Sequence, residues 1–84
     1  MSLNGFSVIV GCDCEVDRKD VLEICRSFGE VMKIDAIECP KSWCLKEGSV
    51  VYKVSFFYKK DASEAAINIH GMELGRGILM TLVP

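Results

Sequence analysis

Basic charge is in short supply in this chain. Ten Lys and Arg stand against 12 Asp and Glu among 84 residues, a formal net charge of −2. A domain held to nucleic acid chiefly through phosphates carries a basic excess, so any such contact here rests on a local patch. Histidine occurs once, as His70 at an expected helix end, which leaves no nucleophile with a base beside it. No glycine-rich phosphate loop leads into a helix, because Gly71, Gly75 and Gly77 precede a strand. The carboxylates Asp13, Glu15 and Asp17 read as a charged loop. An enzyme is therefore not expected. No apolar run approaches the ~20 residues of a membrane span, and the start lacks the charged head and apolar core of a signal peptide. The five cysteines, Cys12, Cys14, Cys25, Cys39 and Cys44, are odd in number and read as reduced thiols of an intracellular protein. Cys12-x-Cys14 and Cys39-x4-Cys44 fit zinc spacings poorly, so neither metal nor cofactor is expected.

What is present is a globular composition, 50% apolar and 26% charged. A domain of this length buries little more than ~60% of its unfolded surface, which makes an adequate but marginal core. The chain is organised around residues 48–57, its longest run of strand-forming residues. Alternation there sets Val50, Tyr52, Val54 and Phe56 on one face and Val51, Lys53 and Ser55 on the other. Phe6 to Val10 alternates in the same way, with Phe6, Val8 and Val10 inward and Ser7 and Ile9 outward. Asp17 starts a helix as its N-cap, and Val21, Ile24, Cys25 and Phe28 form one apolar stripe. Gly29 is expected to end that helix in the left-handed region. Val31 to Glu38 is a second strand, stopped by Cys39-Pro40. Asp61-Ala62-Ser63-Glu64 reads as a capping box opening a second helix, which His70-Gly71 ends. Residues 72–77 read as a turn. In the last strand, from Ile78 to Val83, one face carries Ile78, Met80 and Leu82, and the other Leu79, Thr81 and Val83.

The order β-α-β-β-α-β, with right-handed crossovers, predicts an α+β ferredoxin-like fold: a four-stranded antiparallel sheet with two helices on one face. The single domain is expected over residues 5–84, with residues 1–4 a flexible or vector-derived start.

At this point the sequence resembles the RNA recognition motif family, or RRM, from about Phe6 to Pro84. Phe28-Gly29-Glu30-Val31 is similar to the phrase joining helix one to strand two in that family. Asp61 to Ile67, followed by His70-Gly71-Met72-Glu73-Leu74-Gly75-Arg76, is similar to its second helix and following turn. Val8 to Asp13 falls where the six-residue motif lies, and its usual ring position is Ile9. Ser49 to Phe56 falls where the eight-residue motif lies, and its usual ring positions are Val51 and Lys53. The resemblance therefore implies a divergent member without the stacking rings. Members of the family bind single-stranded RNA by stacking bases on such rings, each stack being worth roughly 1–3 kcal/mol.

The open face is then expected to be aliphatic: Ile9, Val51, Leu79 and Val83, with Lys53, Ser7, Ser55 and Thr81. Around it, Trp43 in the loop between strands two and three, flanked by Lys41 and Lys46, is a candidate to stack a base or fill a partner's pocket. It also has the alternative of tucking against Leu45 and Pro40. Two readings follow. One is a non-catalytic module of a larger RNA-associated protein, nuclear rather than cytoplasmic, with weak single-stranded RNA binding at most. The other is a protein-binding or homodimerising module using the same face. For the second, Tyr52 to Phe56 and Ile78 to Pro84 are loosely similar to the RRM-like domains of nuclear-pore proteins, which pair through their sheets. Arg76-Gly77-Ile78 lacks the phenylalanine of the Arg-x-Phe motif that captures tryptophan-bearing peptides. A third reading, a purely structural domain, holds if a segment beyond these 84 residues covers the face.

Overall fold

The alternating runs form strands and the apolar stripes form helices, in the expected order with one strand added. The computed structural model describes residues 6–13, 16–43, 50–75 and 77–83. The elements are β1 (Phe6–Cys12), α1 (Arg18–Arg26), β2 (Val31–Glu38), β3 (Val50–Phe56), α2 (Lys59–Ile69), β4 (Glu73–Leu74) and β5 (Gly77–Leu82). The sheet is antiparallel throughout, in the order β2-β3-β1-β5-β4. Cys14, Cys44, Leu45, Lys46, Glu47, Arg76 and the Gly48–Ser49 start of the central strand lie outside the described residues.

The added strand corrects the reading of residues 72–77 as a turn. Glu73 and Leu74 pair with Ile78 and Gly77, across a turn that Gly75 makes at a φ of +60°. Gly71, at +87°, ends α2 in the left-handed region as expected. Its N–H then donates to the Leu79 carbonyl at 2.8 Å, and the Leu79 N–H donates to the Met72 carbonyl at 2.8 Å. Further along the same edge, the Thr81 N–H donates to His70 Nδ1 at 3.1 Å. The outer edge of β5 is thus occupied by a two-residue strand, a turn and one side chain, which blunts edge-to-edge pairing there.

The core lies between the sheet and both helices. Val8, Val10, Cys12, Val54 and Phe56 meet Val21 and Cys25 of α1 and Ala62, Ala65 and Ile69 of α2. Leu79 belongs to this same cluster and is fully buried. That corrects its expected place on the open face. Cys12 is paired with Leu79 and Val10 with Thr81, and directly opposed residues share a face. Thr81 also points to the helix side, where its hydroxyl donates to the Ala66 carbonyl at 2.6 Å. A shift of one residue inverts every side chain of a strand, so Ile78, Met80 and Leu82 take the other face.

Three local readings change as well. α2 begins at Lys59 behind Tyr58, and no side chain caps it, so Asp61 and Glu64 form no capping box. Asp17 does stand at the N-cap of α1, yet its carboxylate makes no cap bond. Gly29 is not in the left-handed region. Instead, a Cβ there would collide with the Asp61 side chain, so the glycine lets the α2 carboxylate approach.

The buried Cys25 thiol is pushed from an ordinary value of 9.0 up to about 12 by desolvation. The folded state therefore keeps this proton where the unfolded chain has lost it. Its contribution is intact below about pH 9 and declines as pH rises towards 12, by at most ~1.4 kcal/mol per pH unit. Urea unfolding at pH 8, 9 and 10 is expected to show a steeper loss of stability than in Cys25→Ala. Equal slopes would refute the assignment.

Candidate nucleic-acid interface

Pleating leaves one face of the sheet without a helix, and the strand register sets its side chains in three cross-strand rows. Lys33, Ser55 and Ser7 form the first. Asp35, Lys53, Ile9 and Leu82 form the second. Ile37 and Val51, then Gly11 and Met80, form the third. The Ser7 and Ser55 hydroxyls are 3.1 Å apart and bonded, tying β1 to β3 from this side.

The charges on this face are unevenly matched. Lys33 Nζ lies 3.7 Å from Asp35 Oδ2, with both side chains more than half exposed, and such a pair contributes little. It does, however, engage the carboxylate opposite Lys53. Lys53 is half-buried and has no carboxylate partner among the described residues. Lys41 is exposed in the turn after β2, and Lys46 lies outside the described residues.

Trp43 is the largest side chain on the face. The Trp43 backbone N–H donates to the Pro40 carbonyl at 3.0 Å, and this turn brings the indole back over the sheet. A Cβ on Gly11 would lie 2.5 Å from Trp43 Cζ3, 3.2 Å from Cε3 and 2.8 Å from Val51 Cγ1. The indole thus sits on bare backbone at Gly11, beside Val51. Glycine inside a strand often marks such an approach, and Gly11 lies one residue from the end of β1.

This seat corrects the picture of an open aliphatic platform. Val51 is fully buried and Ile9 is 8% exposed, although no helix covers them. Besides the exposed Lys33 and Asp35, solvent reaches the half-buried Trp43, Lys53 and Met80, together with Leu82 at 36% and, near the start of β5, Ile78 at 48%. The structure therefore brings together Ile9, Val51, Lys53 and Trp43, sends Leu79 to the core, and adds Gly11, Met80 and Leu82.

No protein-family model matches the sequence, and no curated protein matches it either. Solved structures do. The second RRM of the yeast poly(U)-binding protein Pub1 is 23% identical at a TM-score of 0.68, over 94% of this chain and 93% of that one. The fold is that of an RNA recognition motif. The Rna15 RRM with bound RNA (GU) is 19% identical at a TM-score of 0.69, over 93% of this chain and 81% of that one. The C. elegans NONO-1 homodimer is 12% identical at 0.69, over 100% of this chain but 32% of that one. On this RRM fold the three positions singled out by the motif comparison, Ile9, Val51 and Lys53, stand adjacent on β1 and β3, and the loop indole lies next to Val51.

Proposed function

We propose that the chain is a non-catalytic RRM-type binding module of a larger RNA-associated protein, and that it contacts single-stranded RNA weakly through its helix-free face. The observation that carries this reading is the seat of Trp43 on Gly11 and Val51, one row from Lys53. β1 and β3 supply no ring at the expected positions, and the loop supplies one. An indole offers a π-face to any base, and the Lys53 ammonium, with no carboxylate partner among the described residues, offers a phosphate contact. An RRM of the same fold is seen with bound GU RNA.

The binding is weak for two physical reasons. One ring replaces several, and each missing stack forfeits roughly 1–3 kcal/mol. The net charge of −2 gives no long-range attraction. With about two or three phosphate contacts, the logarithm of affinity falls with that of salt at a slope of roughly −1.4 to −2.

A degenerate single-stranded RNA pool titrated into labelled protein at low salt tests this. The amides of Ile9, Val51, Lys53 and Trp43 are expected to move together and to return with added salt. Trp43→Ala is expected to lower affinity about tenfold or more. No movement at millimolar RNA would end the RNA reading.

A second reading has its own observation. Ile78 and Leu82 on β5, and Val83 just after it, leave 48%, 36% and 63% of their surfaces exposed, and apolar surface of this kind marks protein contacts. The similar NONO-1 chain is seen as a homodimer. Sedimentation that depends on concentration, abolished by Leu82→Lys, would favour a homodimer over an RNA platform.

A further inference from the structure

A groove of about 320 Å³ opens at the end of the sheet where β1 begins and β5 ends, against the first turns of α2. Phe6, Ser7, Lys53, Lys59, Ser63 and Val83 supply its character. Two of the residues lining it are lysines and none is acidic, in a chain whose acids outnumber its bases. Of the two acids on α2, Asp61 has its carboxylate turned against Gly29, and Glu64 does not line the groove. No ion pair engages Lys53 or Lys59 among the described residues. Phe6 leaves 46% of its surface exposed and forms an apolar wall, and Ser63 is an exposed hydroxyl beside it. The volume stands near the lower limit of ~300 Å³ for small-ligand sites. It suits one nucleotide and is too small for a strand.

We propose that this groove is a subsite for a nucleoside monophosphate, its phosphate held between Lys53 and Lys59 and its base against Phe6. The shared chemistry is a nucleotide with a terminal phosphate, either free or at the end of an RNA chain. The inference deepens the RNA reading and rests on it where the source is an RNA end, because Lys53 belongs to both the face and the groove.

The test uses the labelled 84-residue chain. UMP, uridine and inorganic phosphate are titrated separately, followed by a short RNA with and without a 5′-phosphate. UMP is expected to move the amides of Phe6, Lys59 and Ser63, with uridine and phosphate each far weaker. Lys59→Gln is expected to reduce the UMP response about tenfold, as for one charge-assisted contact, and to leave the Trp43 response to RNA intact. Groove shifts with UMP assign a free nucleotide, and groove shifts only with 5′-phosphorylated RNA assign a chain end. If neither moves the groove, or inorganic phosphate alone matches UMP, the subsite is refuted. RNA that then still moves Ile9 and Trp43 leaves the RNA reading standing without it.

Discussion

Replacing Leu79 by alanine is expected to cost the domain about 2–5 kcal/mol, whereas the same change at Leu82 costs well under half of that. Leu79 is fully buried between β5 and α2, and truncating such a residue loses both its transfer energy and the packing around the cavity it leaves. Leu82 stands opposite Ile9 on the other face and is 36% exposed. For an 84-residue chain a total stability of about 4–13 kcal/mol is ordinary, so the Leu79 variant approaches the unfolding threshold. Urea denaturation with a shared slope reads the difference directly. Equal losses at the two positions would mean that the Cys12–Leu79 register is wrong. The binding readout runs the other way: Leu82→Ala alters contacts of the face while the fold holds.

That pair also marks how far sequence reasoning reaches in this chain. The phase of β1 was legible because Val8 and Val10 alternate with Ser7, although Phe6, read as inward, is 46% exposed and stands outside the core. The phase of β3 was legible because Lys53 and Ser55 oppose Val54 and Phe56. In β5 both phases are apolar, so alternation alone leaves the two faces equivalent. The choice is made by the pairing of Leu79 with Cys12 and by the short β4 hairpin, and both depend on contacts that no local pattern records. The same holds for the start of α2. Asp61-Ala62-Ser63-Glu64 has capping-box spacing, but Lys59 and Lys60 are competent helix formers and extend the helix back to Tyr58. Asp61 meets Gly29 instead. Order, helices and the phases of β1 and β3 follow from local patterning. The site depends on two residues far apart in sequence, Gly11 and Trp43: the tryptophan was legible as a candidate, and its seat on the glycine was not.

Gly11→Ala is expected to unseat Trp43, with the second large effect. Its backbone is not in the left-handed region, so conformational entropy alone would make alanine stabilising by about 0.4–1 kcal/mol. Sterics decide otherwise, since the new methyl would lie 2.5 Å from Trp43 Cζ3 and 2.8 Å from Val51 Cγ1. Val51 is fixed in the sheet, so the indole must move, and overpacking of this kind costs about 1–3 kcal/mol. Trp43 is the only tryptophan, so its emission reports the displacement as a shift to longer wavelength. In a Trp43→Ala background the clash with the ring is gone, and the cost of Gly11→Ala is expected to shrink to the Val51 contact. The resulting coupling between the two sites is about 0.5–3 kcal/mol. RNA affinity ties the seat to function: if the indole works from its place on Gly11, Gly11→Ala lowers affinity as far as Trp43→Ala does. Unchanged emission with unchanged or raised stability would show that the ring does not rest there, and with it the observation that favours RNA on this face would fall.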